Sequence, residues 1–190
     1  YIDKTGKWVI QPEFDRVRDF SEEGIAIVGK SIRYGIVDKK GNCIVPVKYR
    51  YISEFGTSGY ALVKTGPQKY NYIKQDGNLL LNKDVFYALP FNGNTAVIRT
   101  SGISDLQLID IYGKPVTREI YIYLSALDDR HYCYKTPYVC GIADLSGTIL
   151  IKPENESIKY ERSGLYRIEN GNKLGYYDER KADWIWPMKW

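Results

Sequence analysis

The apolar residues of this chain come in short bursts, among them Trp8-Val9-Ile10, Ile25-Ala26-Ile27-Val28, Ile44-Val45 and Tyr60-Ala61-Leu62-Val63, each bounded by polar or glycine-containing turns. None carries the spacing of an amphipathic helix, and their brevity and β-branched or aromatic content predict strands. The pattern is clearest in residues 34–63, YGIVDKKGNCIVPVKYRYISEFGTSGYALV. There Gly35, Asp38 and Gly41 frame a turn, Ile44-Val45 run into Pro46, a Tyr-rich link leads to Phe55, and a strand runs from Gly59 to Val63. Aspartate at the first turn position and glycine at the fourth suit a type I turn closed by a glycine with positive φ. Pro12 and Pro46 are expected to end their strands, because proline cannot donate to a ladder.

The same statement is made several times. Turn glycines fall at 6, 41, 77, 113 and 147, in steps of 35, 36, 36 and 34. The turn aspartate falls at Asp3, Asp38, Asp110, Asp144 and Asp178, with Lys74 in its place once. An anchor residue recurs at Phe20, Phe55, Phe91, Leu127 and Tyr160. Three features keeping one period define a repeat protein. The units are read as 1–33, 34–69, 70–106, 107–140 and 141–174, with a partial sixth at 175–190.

Each unit is expected to supply about three short strands. Ala26, Ala61 and Ala96 share one column of the third strand, and small residues there suggest close approach of a neighbouring sheet. Ile25, Tyr60, Thr95, Tyr132 and Leu165 are placed on the opposite face, still mostly apolar. Three strands alone could not cover both faces, so each unit must lean on its neighbours. The fold expected is all-β, a tandem array of three-stranded units of about 34–36 residues. An open, solenoid-like stack is favoured because propeller blades usually need four strands in 40 or more residues; a β-propeller is the alternative.

With these residues in view, the chain resembles the WG-containing β-repeats. Gly35-Ile36-Val37-Asp38, Gly41, Ile44-Val45-Pro46, Tyr49, Phe55 and Gly59-Tyr60-Ala61-Leu62-Val63 carry the likeness, as do Trp8-Val9-Ile10, Pro12, Phe14-Asp15, Phe20 and residues 24–28. The signature Trp is absent from its slot, which reads Tyr34-Gly35, Tyr70-Asn71, Leu106-Gln107, Cys140-Gly141 and Leu174-Gly175. The first glycine of that slot is replaced by Asn71 and Gln107, so a different strand geometry is expected there. The resemblance implies a mainly bacterial family associated with binding or scaffolding rather than catalysis.

Composition narrows the functional classes. Eighteen tyrosines and 14% aromatics agree with strands, and 44% apolar residues are enough for a core. The net charge of +4 is spread without blocks of one sign, so no polyanionic partner is demanded. Apolar runs of about five residues are far short of the roughly 20 a membrane helix needs. The chain starts at Tyr1, mid-motif and without Met, and is expected to be part of a longer protein whose compartment stays open. Cys43, Cys133 and Cys140 have no zinc spacing and read as small strand hydrophobes; a bridge between Cys133 and Cys140 across Pro137 is the alternative.

Candidate chemistry is sparse. His131, the single histidine, has carboxylates nearby in Asp128-Asp129-Arg130-His131 but reads as part of an exposed turn rather than a general base. The repeated aspartates are too scattered for calcium loops and fit side-chain closure of turns. Tyrosines interleaved with basic residues, as in Lys48-Tyr49-Arg50-Tyr51 and Lys159-Tyr160-Glu161-Arg162, could stack on nucleic acid, but no basic face is concentrated. Trp184, Trp186 and Trp190 are candidates for a glycan platform and more simply an aromatic cap. No phosphate-binding loop, nucleophile elbow or dinucleotide motif is present. No enzyme activity, cofactor or metal is expected. The remaining candidate is an edge formed by the variable residues after each anchor: Ser21, Glu22, Glu23, Thr57, Ser58, Asn92, Asn94, Asp128, Asp129, Arg130, Arg162 and Ser163. Framework positions are taken by packing and turn closure, so this edge is expected to carry contact with another protein, with a cell-envelope glycan as the alternative ligand.

Overall fold

The computed structural model describes residues 1–101, 106–116, 123–126, 131–135, 139–144 and 148–186. Among them there are strands and turns and no helix, as the sequence pattern predicts. The chain divides into two compact units, Tyr1–Phe91 and Asn92–Trp190.

In the first unit β1 (Arg16–Val17), β2 (Ile25–Lys30), β3 (Arg33–Asp38) and β4 (Cys43–Tyr49) form an antiparallel meander in chain order. A second sheet follows from β5 (Tyr51–Ile52), β6 (Tyr60–Gly66) and β7 (Lys69–Lys74), and β8 (Tyr87–Ala88) comes near the unit's end. The second unit holds the pair β9 (Thr95–Arg99) and β10 (Leu106–Asp110). Two four-stranded meanders complete it. One is β11 (Tyr123–Ala126), β12 (His131–Lys135), β13 (Cys140–Asp144) and β14 (Ile149–Asn155). The other is β15 (Ser157–Arg162), β16 (Leu165–Asn170), β17 (Lys173–Asp178) and β18 (Asp183–Trp186).

The expected three-stranded unit holds for β5–β7 and is corrected for the sheets that begin at β1, β11 and β15, which have four strands. Sheets straddle the repeat boundaries, with the link and third strand of one repeat pairing with the hairpin of the next. The link becomes a strand because its few residues add to an otherwise open edge, as where Arg16 and Val17 face Gly29 and Val28. The connection from β2 to β3 is only Ser31-Ile32, with Ser31 at φ 53° giving the reversal a two-residue hairpin needs.

Proline does not end the second strand of repeat two. β4 runs through Pro46 to Tyr49. It is the outer strand of its sheet, where a missing donor costs no ladder bond. Its pairing with β3 slips on both sides of Ile36, and the bulged strand presses on Gly35. A Cβ at Gly35 would lie 2.5 Å from the Val45 carbonyl oxygen and 2.8 Å from the Val47 nitrogen. Gly141 repeats the contact against the Ile151 carbonyl, at 2.6 Å. Repeat three has Asn71 at this slot, and its second strand is reduced to an isolated bridge, Ile73 to Leu79. The buried Asn71 amide takes over the pairing, donating to the Leu81 carbonyl at 3.0 Å and accepting from the Leu81 N–H at 3.1 Å.

Both faces of the third strand are buried, in different cores. Ile25 and Ile27 pack with Ile36, Val45, Ala61, Val63 and Ile73, joining the first unit's two sheets. Ala26 and Val28 turn the other way, to Ile10, Val37, Phe14 and Phe20. Fully buried side chains such as Ile36 and Val63 each contribute roughly 1.5–3 kcal/mol by leaving water. In the second unit Tyr132 and Tyr134 pack with Val97 and Leu108, while Tyr166 and Ile168 pack with Ile142 and Ile151.

The pairing register corrects one column. Ile25, Tyr60, Thr95, His131 and Leu165 stand opposite Asp38, Lys74, Asp110, Asp144 and Asp178. Thus His131, not Tyr132, continues the Ile25 column, and Tyr132 and Tyr166 enlarge the alanine column. His131 is not in an exposed turn either. It starts β12 and is 5% exposed.

The aspartate turns close as expected. Asp38 Oδ1 accepts from the Lys40 and Asn42 N–H groups, both at 2.8 Å, while Gly41, at φ 87°, donates its N–H to the Asp38 carbonyl at 3.0 Å. Asp110 repeats the arrangement with the Tyr112 and Lys114 amides, both at 2.9 Å. Where Lys74 replaces the aspartate, Asp76 accepts from the Asn78 N–H at 2.9 Å instead. Side-chain hydrogen bonds from Thr5, Asn42 and Arg180, with backbone N–H groups after them, hold the Asp3, Asp38 and Asp178 carboxyls below the usual carboxylate range, and the Asn78 N–H does so at Asp76. At Asp38 and Asp110 one carboxylate oxygen accepts two backbone N–H groups and so closes the turn, the role expected of these aspartates.

Candidate binding cleft

Two of the variable turns border one cleft. In repeat one Phe20 fixes the entry, the Gly24 N–H donates to the Ser21 carbonyl at 2.9 Å, and the Ser21 N–H donates to the Ile25 carbonyl at 2.9 Å. In repeat two the Gly59 N–H donates to the Gly56 carbonyl at 2.9 Å, and the Gly56 N–H to the Tyr60 carbonyl at 3.2 Å. Both closing glycines have positive φ, 84° at Gly24 and 77° at Gly59. The sequence thus fixes each turn by its anchor and its last glycine, and leaves the residues between them free to vary.

The cleft beside these turns has a volume of about 400 Å³. Its apolar wall is Phe20, Ile25, Ile27 and Phe55. Ser21, Glu23, Thr57 and Gln75 supply neutral and acidic groups, and Arg18, Asp19 and Glu54 complete the polar rim. Arg18 donates to Glu54 at 2.6 Å across the links of repeats one and two. The carboxyl of Glu23 is held below the usual range, first by its own backbone N–H, so it faces the cleft as a carboxylate at neutral pH.

Of the candidate edge, the structure brings Ser21, Glu23 and Thr57 together around this cleft. Glu22 and Ser58 share the turns but do not line it. Asn92 and Asn94 lie in the turn that opens the second unit, where Asn92 and Thr95 exchange backbone hydrogen bonds of 2.8 and 3.2 Å. Arg162 ends β15 and Ser163, at φ 48°, begins the turn to β16. Asp128, Asp129 and Arg130 lie outside the described residues. Arg18, Asp19, Glu54 and Gln75 were missed by sequence reasoning. Only the register of a folded repeat shows that links and an aspartate turn meet there.

The remaining described candidates lie away from the cleft lining. His131 Nε2 lies 3.3 Å from Glu179 Oε1, and the Tyr166 hydroxyl donates to Glu179 Oε2 at 3.3 Å. Cys133 and Cys140 are buried free thiols, and Cys43 is exposed. Trp184 packs edge-on against Tyr177 at 5.9 Å, whereas Trp186 stacks on Tyr176 at 6.5 Å and is 55% exposed. Trp190 is outside the described residues. Among the described residues no group of three or more His, Cys, Asp or Glu is placed to hold a metal ion. No described helix is long and apolar enough to cross a membrane.

The class defined by this geometry is an all-β repeat protein made of small antiparallel sheets. The family described as the WG containing repeat matches residues 1–31, 34–70 and 141–173, a little over half of the chain, and the chain belongs to that family. No curated protein matches it in sequence. Among solved structures it is similar to one described as the crystal structure of the eukaryotic initiation factor, with a TM-score of 0.54 at 14% identity, over 97% of this chain and 58% of the other. Hsv2 of Kluyveromyces lactis aligns with a TM-score of 0.47 at 9% identity, over 88% of this chain and 62% of that one. BamB from Moraxella catarrhalis gives 0.45 at 12% identity, over 93% and 65%. The chain thus spans less than two thirds of the length of each. At such identities the likeness to the first concerns fold alone.

Proposed function

We propose that this chain is a non-catalytic binding module that works by protein–protein contact through the turns around the first unit's cleft. The observation that carries the reading is that two turns, variable between fixed anchors and closing glycines, border one concave surface backed by Phe20 and Phe55. A rigid sheet framework presenting adaptable turns suits recognition. The non-catalytic part is supported by the placement of the single histidine, buried against Glu179 rather than in the cleft. We propose that the successive sheets stack as an open, solenoid-like array, with a β-propeller as the alternative; the three-stranded sheet β5–β7 supports the open reading and the four-stranded meanders support the propeller.

A second reading, glycan binding, is favoured by the exposed Trp186 stacked on Tyr176. The two separate cleanly. Replacing Ser21, Glu22 and Glu23 by a Gly-Ser-Gly segment and Thr57-Ser58 by Gly-Ser keeps Gly24, Gly56 and Gly59. Melting should stay nearly unchanged while capture of a partner protein is lost. Undiminished capture would remove the cleft turns as the site, and loss of glycan-array binding in Trp186→Ala would support the second reading.

A further inference from the structure

Two positions that border the first unit's cleft hold a buried side-chain pair at the equivalent place in the second unit. Ile25 begins β2 opposite Asp38, and His131 begins β12 opposite Asp144. Gln75 follows the turn residue Lys74, and Glu179 follows Asp178. In the second unit the two equivalent positions meet as the pair His131–Glu179, with side-chain exposures of 6% and 11%. The Ala61 position is enlarged there to the fully buried Tyr166, whose hydroxyl holds the same carboxylate. In the first unit Ile25 and Gln75 both border the open cleft. Its carboxylates are Asp19, Glu23 and Glu54, against the single guanidinium of Arg18, which Glu54 already engages.

An apolar wall with a surplus of carboxylates at its rim fits a long side chain carrying a terminal cation. We propose that the cleft receives a lysine or arginine side chain from a basic peptide segment of a partner protein, a step that rests on the protein-contact reading above. The aliphatic stem lies on Phe20, Ile25 and Phe55, and the cation reaches Asp19 and Glu23. Long basic side chains partition in this way, stem against apolar surface and head in a polar rim. At about 400 Å³ the space is at the lower end of ligand pockets, roughly 300–1,000 Å³, and suits one side chain with its flanking backbone.

The test uses three Gly/Ser decapeptides, with two central arginines, two norleucines or two glutamates, titrated into the isotopically labelled chain and followed by NMR. The arginine peptide is expected to shift the amides of Ser21, Glu23, Thr57 and Gln75, and to bind more weakly as salt is raised. The double variant Asp19→Asn/Glu23→Gln should weaken it about tenfold. Arg18→Gln should instead tighten it, because Glu54 is released and a like charge removed; a merely structural role would not change sign. All these side chains are at the rim, and an unchanged urea midpoint confirms that each variant folds. Equal binding of the norleucine peptide, preference for the glutamate peptide, or an unaffected double variant overturns the cationic occupant. Cleft amides unmoved by all three peptides overturn it too. The protein-contact reading is judged separately, by the turn replacements.

Discussion

Gly35→Ala puts the repeat geometry to its most local test. In β3 the glycine faces the bulge of β4, and an added Cβ would meet three backbone atoms: the Val45 carbonyl oxygen at 2.5 Å, the Val47 nitrogen at 2.8 Å and the Pro46 carbonyl carbon at 2.9 Å. No rotamer change relieves a clash with backbone. β4 must move, and with it Val45 and Tyr49, which are buried in the core between the first unit's sheets. Overpacking of this kind costs about 1–3 kcal/mol. Alanine returns about 0.4–1 kcal/mol by restricting the unfolded chain. Because every contact here is backbone, the upper half of the range applies, and a net loss of about 2 kcal/mol is expected. Gly66→Ala is the matched control, since the three atoms nearest its Cβ all belong to the flexible Lys69 side chain, at 3.4 Å or more, and it should be neutral or slightly stabilising. Urea unfolding of both variants, followed by tyrosine fluorescence, measures the difference. A Gly35→Ala midpoint equal to that of Gly66→Ala would refute the close-approach argument.

Three further outcomes are expected. Gly41→Val should cost on the order of 1–2 kcal/mol, because φ is 87° and the new Cβ meets Ile10 at 3.2 Å, whereas Lys40→Val should be nearly neutral; equal urea midpoints would mean the turn is wrongly read. The Asp38 carboxyl is lowered, first by the Asn42 side chain, from an unfolded value near 3.8, so its stabilisation is present above that pH and lost as pH falls through the folded value. The stability gap between the parent and Asp38→Ala should therefore narrow in melts taken below pH 3.8, and a gap that widens there would contradict the assignment. In native protein at pH about 8, iodoacetamide should modify the exposed Cys43 and spare Cys133, whose thiol burial pushes up to about 12; rapid labelling of Cys133 would contradict its burial.

The repeat, the all-β class and the aspartate turns were legible because each depends on a few residues at fixed spacing. Asp38, Gly41 and the strand they introduce form a local unit, and local geometry leaves a local signature. The fourth strand was not legible. β1 and β5 have two residues each, too few to show alternation, and they are strands only because a neighbouring edge is available. Pro46 misled for a related reason, since its penalty depends on whether β4 is inner or outer, a property of the sheet and not of the segment. His131 was misplaced by one residue. In a strand buried on both faces, apolarity does not reveal which way a side chain points. The turns bearing Ser21, Glu23 and Thr57 could be named from their variability between fixed anchors. Their cleft partners could not, because Arg18, Glu54 and Gln75 come from three different repeats and meet only through the offset between repeat and sheet.

Hydrogen–deuterium exchange of the chain, alone and with a captured partner protein, tests the binding account most directly. It reads the turns without altering them. Protection on binding is expected at residues 21–24 and 56–59, with the aspartate turns around Gly6 and Gly41 unchanged. Protection confined to those aspartate turns, or to the strands around Trp186, with residues 21–24 and 56–59 exchanging as in the free chain, would contradict it.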